Sequence, residues 1–107
     1  MIGRGIEKIL AYDEPVDMRK SFDGLIGVIQ GELKADPLNG TLFVFVNRRR
    51  NYLKGIFWDR TGYFLLAKRL ERGRFSLSTF EDMEELTKQK FLLLLDGIVL
   101  GRRRKAR

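Results

Sequence analysis

Residues 41–69 read TLFVFVNRRRNYLKGIFWDRTGYFLLAKR, and the fold turns on them. Three runs rich in β-branched and aromatic residues, Thr41 to Val46, Tyr52 to Trp58 and Tyr63 to Lys68, read as strands. Between them lie the polar loop Asn47 to Asn51 and the turn Asp59-Arg60-Thr61-Gly62. Connections this short join antiparallel neighbours, so the stretch predicts a β-meander. Alternation sends Phe43 and Phe45 to one face and Leu42, Val44 and Val46 to the other. Along the second strand, Leu53 and Phe57 oppose Lys54, Ile56 and Trp58. Both faces are apolar, and two helices are expected to cover only one of them completely. The remainder, with aromatics beside Lys54 and Lys68, then becomes a contact surface; the alternative is a small core covered on both sides.

On the N-terminal side, Ile6 to Tyr12 is a short strand candidate. Asp17 reads as the N-cap of a helix whose apolar stripe is Phe22, Leu25, Ile26, Ile29 and Leu33. Gly24, Gly27 and Gly31 weaken that helix intrinsically and suggest close packing or dependence on tertiary contacts. It should end before Asp36-Pro37, because a residue preceding proline is driven from the α region. On the C-terminal side, Arg74 to Ser78 is expected to form a fourth strand. Thr87 is expected to cap a second helix carrying Phe91, Leu92, Leu94 and Leu95, with Gly97 as its stop. The predicted class is α+β: one domain over residues 1–100, with four to five antiparallel strands and two helices. Residues 101–107 read as a disordered basic tail.

Composition narrows the chemistry. At 107 residues and 44% hydrophobic content, one domain with a modest core is expected. The absence of cysteine excludes disulfides, thiol catalysis and Cys-based zinc sites, and fits a reducing compartment. The absence of histidine removes the usual general base near neutral pH and the commonest transition-metal ligand. Without an apolar run of about eighteen residues there is no helical membrane span, and the expected location is the cytoplasm.

Charge is concentrated. Residues 48–74 hold nine Lys/Arg against Asp59 and Glu71, a net of +7, which equals the excess of the whole chain. Residues 1–47 sum to −2, residues 75–100 to −3 and residues 101–107 to +5. A surface of this kind suits a polyanion, and nucleic acid is the commonest one.

The cluster Arg48-Arg49-Arg50 falls in a predicted hairpin loop, where three adjacent guanidiniums repel one another and a bound phosphate backbone would relieve the repulsion. The cationic segment continues through Lys54, Arg60, Lys68, Arg69, Arg72 and Arg74. A second anion site is expected at Asp17-Met18-Arg19-Lys20, where Arg19 and Lys20 would sit beside free backbone N–H groups of a first helical turn. Alternatively Arg19 pairs with Asp23 or with another carboxylate. Catalysis has little support. Asp13, Glu14, Asp17, Asp23, Asp36, Asp59 and Glu71 are scattered, and Glu32-Leu33-Lys34 has nuclease-like spacing but lies in the predicted helix region. No phosphate-binding glycine loop or nucleophile motif is present, so no cofactor, metal or enzymatic activity is expected.

These residues together resemble a known family. Asp17 to Leu25, Asp36-Pro37 and Gly40 to Arg50 match its opening half, and Lys54, Trp58 to Gly62 and Lys68 to Phe75 follow in order. The pattern is that of the Orf2-like (TnpB) accessory protein of the IS sixty-six family of bacterial insertion sequences, distinct from the RNA-guided nuclease that shares the TnpB name. The likeness spans roughly Glu7 to Gly97. Gly55 and Ile56 depart from bulkier aliphatics, and Ser78 to Glu85 lacks a proline often found there. The resemblance implies a small protein that assists transposition beside a separate large transposase, which is the presumed seat of strand-transfer chemistry. The expected function is therefore a non-catalytic accessory factor that holds DNA through Arg48, Arg49, Arg50, Lys54, Lys68, Arg69, Arg72 and Arg74, with Arg19 and Lys20. Tyr52, Trp58 or Tyr63 could stack on bases of a single strand. The alternative is a protein–protein adaptor for the large transposase or another accessory protein, using leftover sheet surface or the Leu92–Leu95 helix. Self-association stays open.

Overall fold

The structure, a computed structural model, describes residues 5–12, 14–76 and 83–97. Its elements are β1 (Lys8–Tyr12), α1 (Phe22–Gly31), β2 (Thr41–Val46), β3 (Tyr52–Asp59), β4 (Gly62–Arg69), β5 (Met83–Leu86) and α2 (Lys88–Leu95). The strands form one sheet in the order β4-β3-β2-β1-β5. The α+β class is as expected, and β2, β3 and β4 form the antiparallel meander.

The sheet is not antiparallel throughout. β1 runs parallel to β2, with Ile9 beside Leu42 and Ala11 beside Val44. A parallel neighbour needs a crossover, and the segment containing α1 supplies it. β5, which the sequence did not suggest, pairs antiparallel to the outer side of β1. The expected fourth strand at Arg74 to Ser78 is absent over its described part, Arg74–Ser76. Gly73, at φ 81°, turns the chain back, and Phe75 is completely buried among Val44, Val46, Leu53 and Leu94. Burying that ring outweighs extending the sheet. Residues 77 and 78, and the tail over 101–107, lie outside the described residues.

Both faces of the sheet are covered, one helix to each. Leu25, Val28 and Ile29 of α1 pack on Tyr12, Phe43, Phe45 and Ile56. On the other face Leu94 of α2 joins Phe75 in packing on Ile9, Leu42, Val44, Leu53 and Phe57. Every residue of β2 is consequently buried, as befits a central strand covered on both sides. Of the two arrangements expected, the core covered on both sides is the one observed and the uncovered face is not, with Phe75 packing beside α2 on the face that helix covers.

Two local expectations also change. α1 starts at Phe22 with Ser21 at its N-cap, not at Asp17. The Asp17 carboxylate instead accepts the Arg19 backbone N–H at 2.9 Å and closes a turn. Close packing does not explain Gly27 and Gly31, since a Cβ at either would meet nothing within 4 Å. The second helix is as expected: Thr87 caps it by accepting the Lys90 N–H at 3.0 Å.

Candidate nucleic-acid interface

The site begins with a loop whose shape is set by asparagine. Between β2 and β3, the Asn47 side-chain oxygen accepts the backbone N–H groups of Asn51 and Tyr52, each at 3.0 Å. Its amide nitrogen donates to the Asn51 side chain at 2.8 Å. The Arg50 N–H closes a turn on the Asn47 carbonyl at 3.0 Å, with Arg50 in the left-handed region at φ 61°. The backbone demands are met inside the loop, so Arg48 and Arg49 are left exposed and Arg50 half-buried.

The chain after β4 is fastened to the same loop. The Leu70 N–H donates to the Asn51 carbonyl at 2.8 Å, and the Phe75 N–H donates to the Arg50 carbonyl at 2.6 Å. Arg74 is thereby held next to Arg50 in space, and Arg72 is carried on the turn between the two ties. Gly97 reaches the same place: a Cβ there would lie 3.4 Å from Leu70 and 3.6 Å from the Arg74 carbonyl.

The Asp17–Lys20 segment arrives from the other side. The Val16 N–H donates to the Val46 carbonyl at 2.9 Å, and the Lys54 ammonium donates to the Lys20 carbonyl at 2.7 Å. Between this segment and the loop lies a cleft of about 650 Å³, lined by Pro15, Val16, Asp17, Met18, Arg19, Asn47, Arg48, Arg49 and Tyr52. The two segments expected separately from the sequence to hold anions therefore line one cleft, although Arg19 and Lys20 precede α1 rather than forming its first turn.

The cations differ in how free they are. Among the described residues no carboxylate pairs with Arg48, Arg49, Arg50, Arg72 or Arg74. Arg19 is held by Asp17, its Nη2 2.6 Å and its Nε 3.1 Å from the carboxylate. That guanidinium brings the Asp17 pKa down to about 2. The folded pKa is depressed, so the pair's stabilisation is present above the ordinary carboxylate pKa and is lost only as pH falls toward 2. Arg69 lies 3.6 Å from Glu71 in an exposed pair worth little. Lys68 stitches β4 to α2, donating to the Leu95 carbonyl at 2.8 Å with Asp96 at 3.9 Å, where a cation also complements the helix C-terminus. Lys54 is buried, its ammonium 5.9 Å from the Tyr52 ring centroid. Lys20 is exposed, and it is its backbone that takes part in the site.

Of the described aromatics, only Tyr52 lines this cleft. Trp58 and Tyr63 pack edge to face at 5.0 Å near the opposite end of the sheet, where burial and the Asp36 charge push the Tyr63 pKa up. Among the described residues no group of three or more acidic side chains could hold a metal ion. No described helix is long and apolar enough to cross a membrane. What the sequence did not signal is the role of Lys54 as a tie, since its bond to the Lys20 carbonyl joins residues 34 positions apart that only folding brings together.

A mixed sheet between two helices, with Arg19, Arg48, Arg49, Arg50, Arg72 and Arg74 gathered at one end, defines a small basic α+β protein. This chain belongs to the IS66 Orf2-like family, whose model matches residues 7–105, and members of that family serve insertion-sequence transposition as accessory proteins. It is 37% identical over 101 residues to uncharacterized protein y4jC of Sinorhizobium fredii (strain NBRC 101917 / NGR234), a match covering 92% of this chain and 86% of that one. A second protein of the same strain, y4hO, is 49% identical over 59 residues, covering 55% of this chain and 51% of its own. No solved structure matches the chain.

Proposed function

We propose that this protein assists transposition as a non-catalytic DNA-binding factor, gripping phosphates with the arginine-rich end of its sheet. The observation that carries the reading is the convergence of Arg19, Arg48 and Arg49 on one cleft. The tie between Phe75 and Arg50 adds Arg72 and Arg74 to the same end. Arg48 and Arg49 have no carboxylate partner among the described residues, and guanidiniums that neutralise DNA phosphates release the cations condensed on the DNA, so affinity falls steeply with salt. Lys54 and Lys68 act mainly as braces, and Arg48, Arg49 and Arg50 are the principal contacts. Sequence selectivity comes from the partner transposase, because phosphate contacts carry none.

The test is a DNA titration across salt concentrations. Replacing Arg48, Arg49 and Arg50 with alanine flattens the log–log salt slope by about two to three units. An unchanged slope removes the loop from the interface.

A second reading, an adaptor docking on the large transposase, is favoured by Leu92 and Leu93, which are 60% and 43% exposed on α2. Co-purification with the transposase through high salt, lost when both leucines become serine while DNA binding is negligible, would establish it instead.

A further inference from the structure

We infer that the cleft receives a base of single-stranded DNA, which stacks on Tyr52 while Arg19, Arg48 and Arg49 hold the phosphates on either side. The inference rests on the DNA-binding reading and narrows it to one form of DNA.

The surroundings of Tyr52 support it. Tyr52 lines a concavity together with Arg48, Arg49 and the Asp17-paired Arg19. Its direct cross-strand neighbour is Arg69, on the same face of the sheet, and the Lys54 ammonium lies over the ring at 5.9 Å. An aromatic surface ringed by cations is the arrangement that binds single strands: every base offers a π-face to the ring, and the charges follow the backbone. A cleft of about 650 Å³ lies within the range of small-molecule sites, large enough for a nucleotide. Asp17 and the Asn47 loop also line the cleft, which is a shallow concavity open to solvent, so a base can reach the ring from outside.

Duplex DNA fits poorly. Its bases are stacked inward and reach such a cleft only if flipped out, at the cost of their pairing and stacking. Neither described helix is suited to a groove. α1 (FDGLIGVIQG) has no lysine or arginine, and the lysines of α2 stand at its N-terminus, where Lys88 shares a hollow with Glu7 and Glu85. The other exposed cations belong to loops and to the ends of strands.

The experiment compares three fluorescent probes at one salt concentration: a single-stranded oligonucleotide, the same strand with abasic sites, and the duplex of the same sequence. The abasic strand keeps the phosphates and loses the bases. Wild-type protein is expected to bind the intact strand about tenfold or more tightly than the abasic one. Tyr52→Leu should bring the intact strand down to the abasic level and leave the abasic affinity and the salt slope unchanged. Tyr52→Phe should retain the preference, since the ring remains. Equal affinity for intact and abasic strands overturns the stacking proposal, as does a duplex bound as tightly as the single strand; the wild-type comparison needs no variant to fold. If salt-dependent binding persists in those cases, the DNA-binding reading survives without the stack. If none of the three probes binds, both fall.

Discussion

The two ends of the sheet carry clefts of nearly equal size and different charge. One, about 650 Å³, is lined by Arg19, Arg48 and Arg49 with Asp17. The other, about 690 Å³, is lined by Glu7, Asp59 and Arg60 beside Leu38 and Trp58. Each end is closed by a hairpin of β3. The tight Arg60-Thr61 turn balances its own charge, with Arg60 3.7 Å from Asp59. The longer loop at residues 47–51 has three arginines and no carboxylate, and spends its asparagines on its own backbone. Concavity therefore does not distinguish the ends; a cluster of arginines without carboxylate partners among the described residues does. Exposed charges act over roughly a Debye length, about 8–10 Å, so a balanced pair projects little field while clustered guanidiniums reinforce one another.

The sharpest way to break this contrast is to unfasten the arginine end. Phe75→Ala should cost about 3–5 kcal/mol in urea unfolding, since it empties a completely buried site behind the loop. A loss below about 1 kcal/mol would mean that the Phe75 ring does not secure this end. Asn47→Ala should cost less, about 1–3 kcal/mol, by leaving the Asn51 and Tyr52 N–H groups without their acceptor. Because the loop then loses its set shape, DNA affinity should fall with it, measured on the same titration as the arginine variants. The smallest effect belongs to the opposite end. Arg60→Ala should move stability by no more than about 0.5 kcal/mol and leave the salt slope as it was. A flattening as large as that from the 48–50 loop would erase the distinction between the ends.

Much of this was legible in the sequence, for identifiable reasons. The strands at 41–46, 52–59 and 62–69 could be read because their polar interruptions are short and rich in turn residues. The Thr87 cap could be read because capping is a matter of neighbouring residues. The parallel pairing of β1 could not, because it joins Ile9 to Leu42 across a helix, and nothing local distinguishes a parallel from an antiparallel partner. Arg74 to Ser78 looked like a strand for the same reason: Phe75 satisfies a strand pattern and a buried plug equally well. At the site, Arg48, Arg49 and Arg50 were evident as charge, whereas Lys54 looked like another exposed cation. Its bond to the Lys20 carbonyl spans 34 residues, and it makes the residue a brace between sheet and cleft.

By itself, then, the sequence determined the secondary-structure alphabet, the α+β class, the family and the presence of a concentrated positive segment, all of which follow from local composition and order. Only the tertiary structure decided that Arg48, Arg49, Arg50, Arg72 and Arg74 share one end of the sheet with Arg19 while Arg60 lies at the other, that Tyr52 alone of the candidate aromatics stands among them, and that both faces are closed. Those outcomes depend on which distant backbone groups pair and which side chains fill the core. Burial and hydrogen-bond satisfaction settle such choices over the whole chain at once, and no window of neighbouring residues contains them.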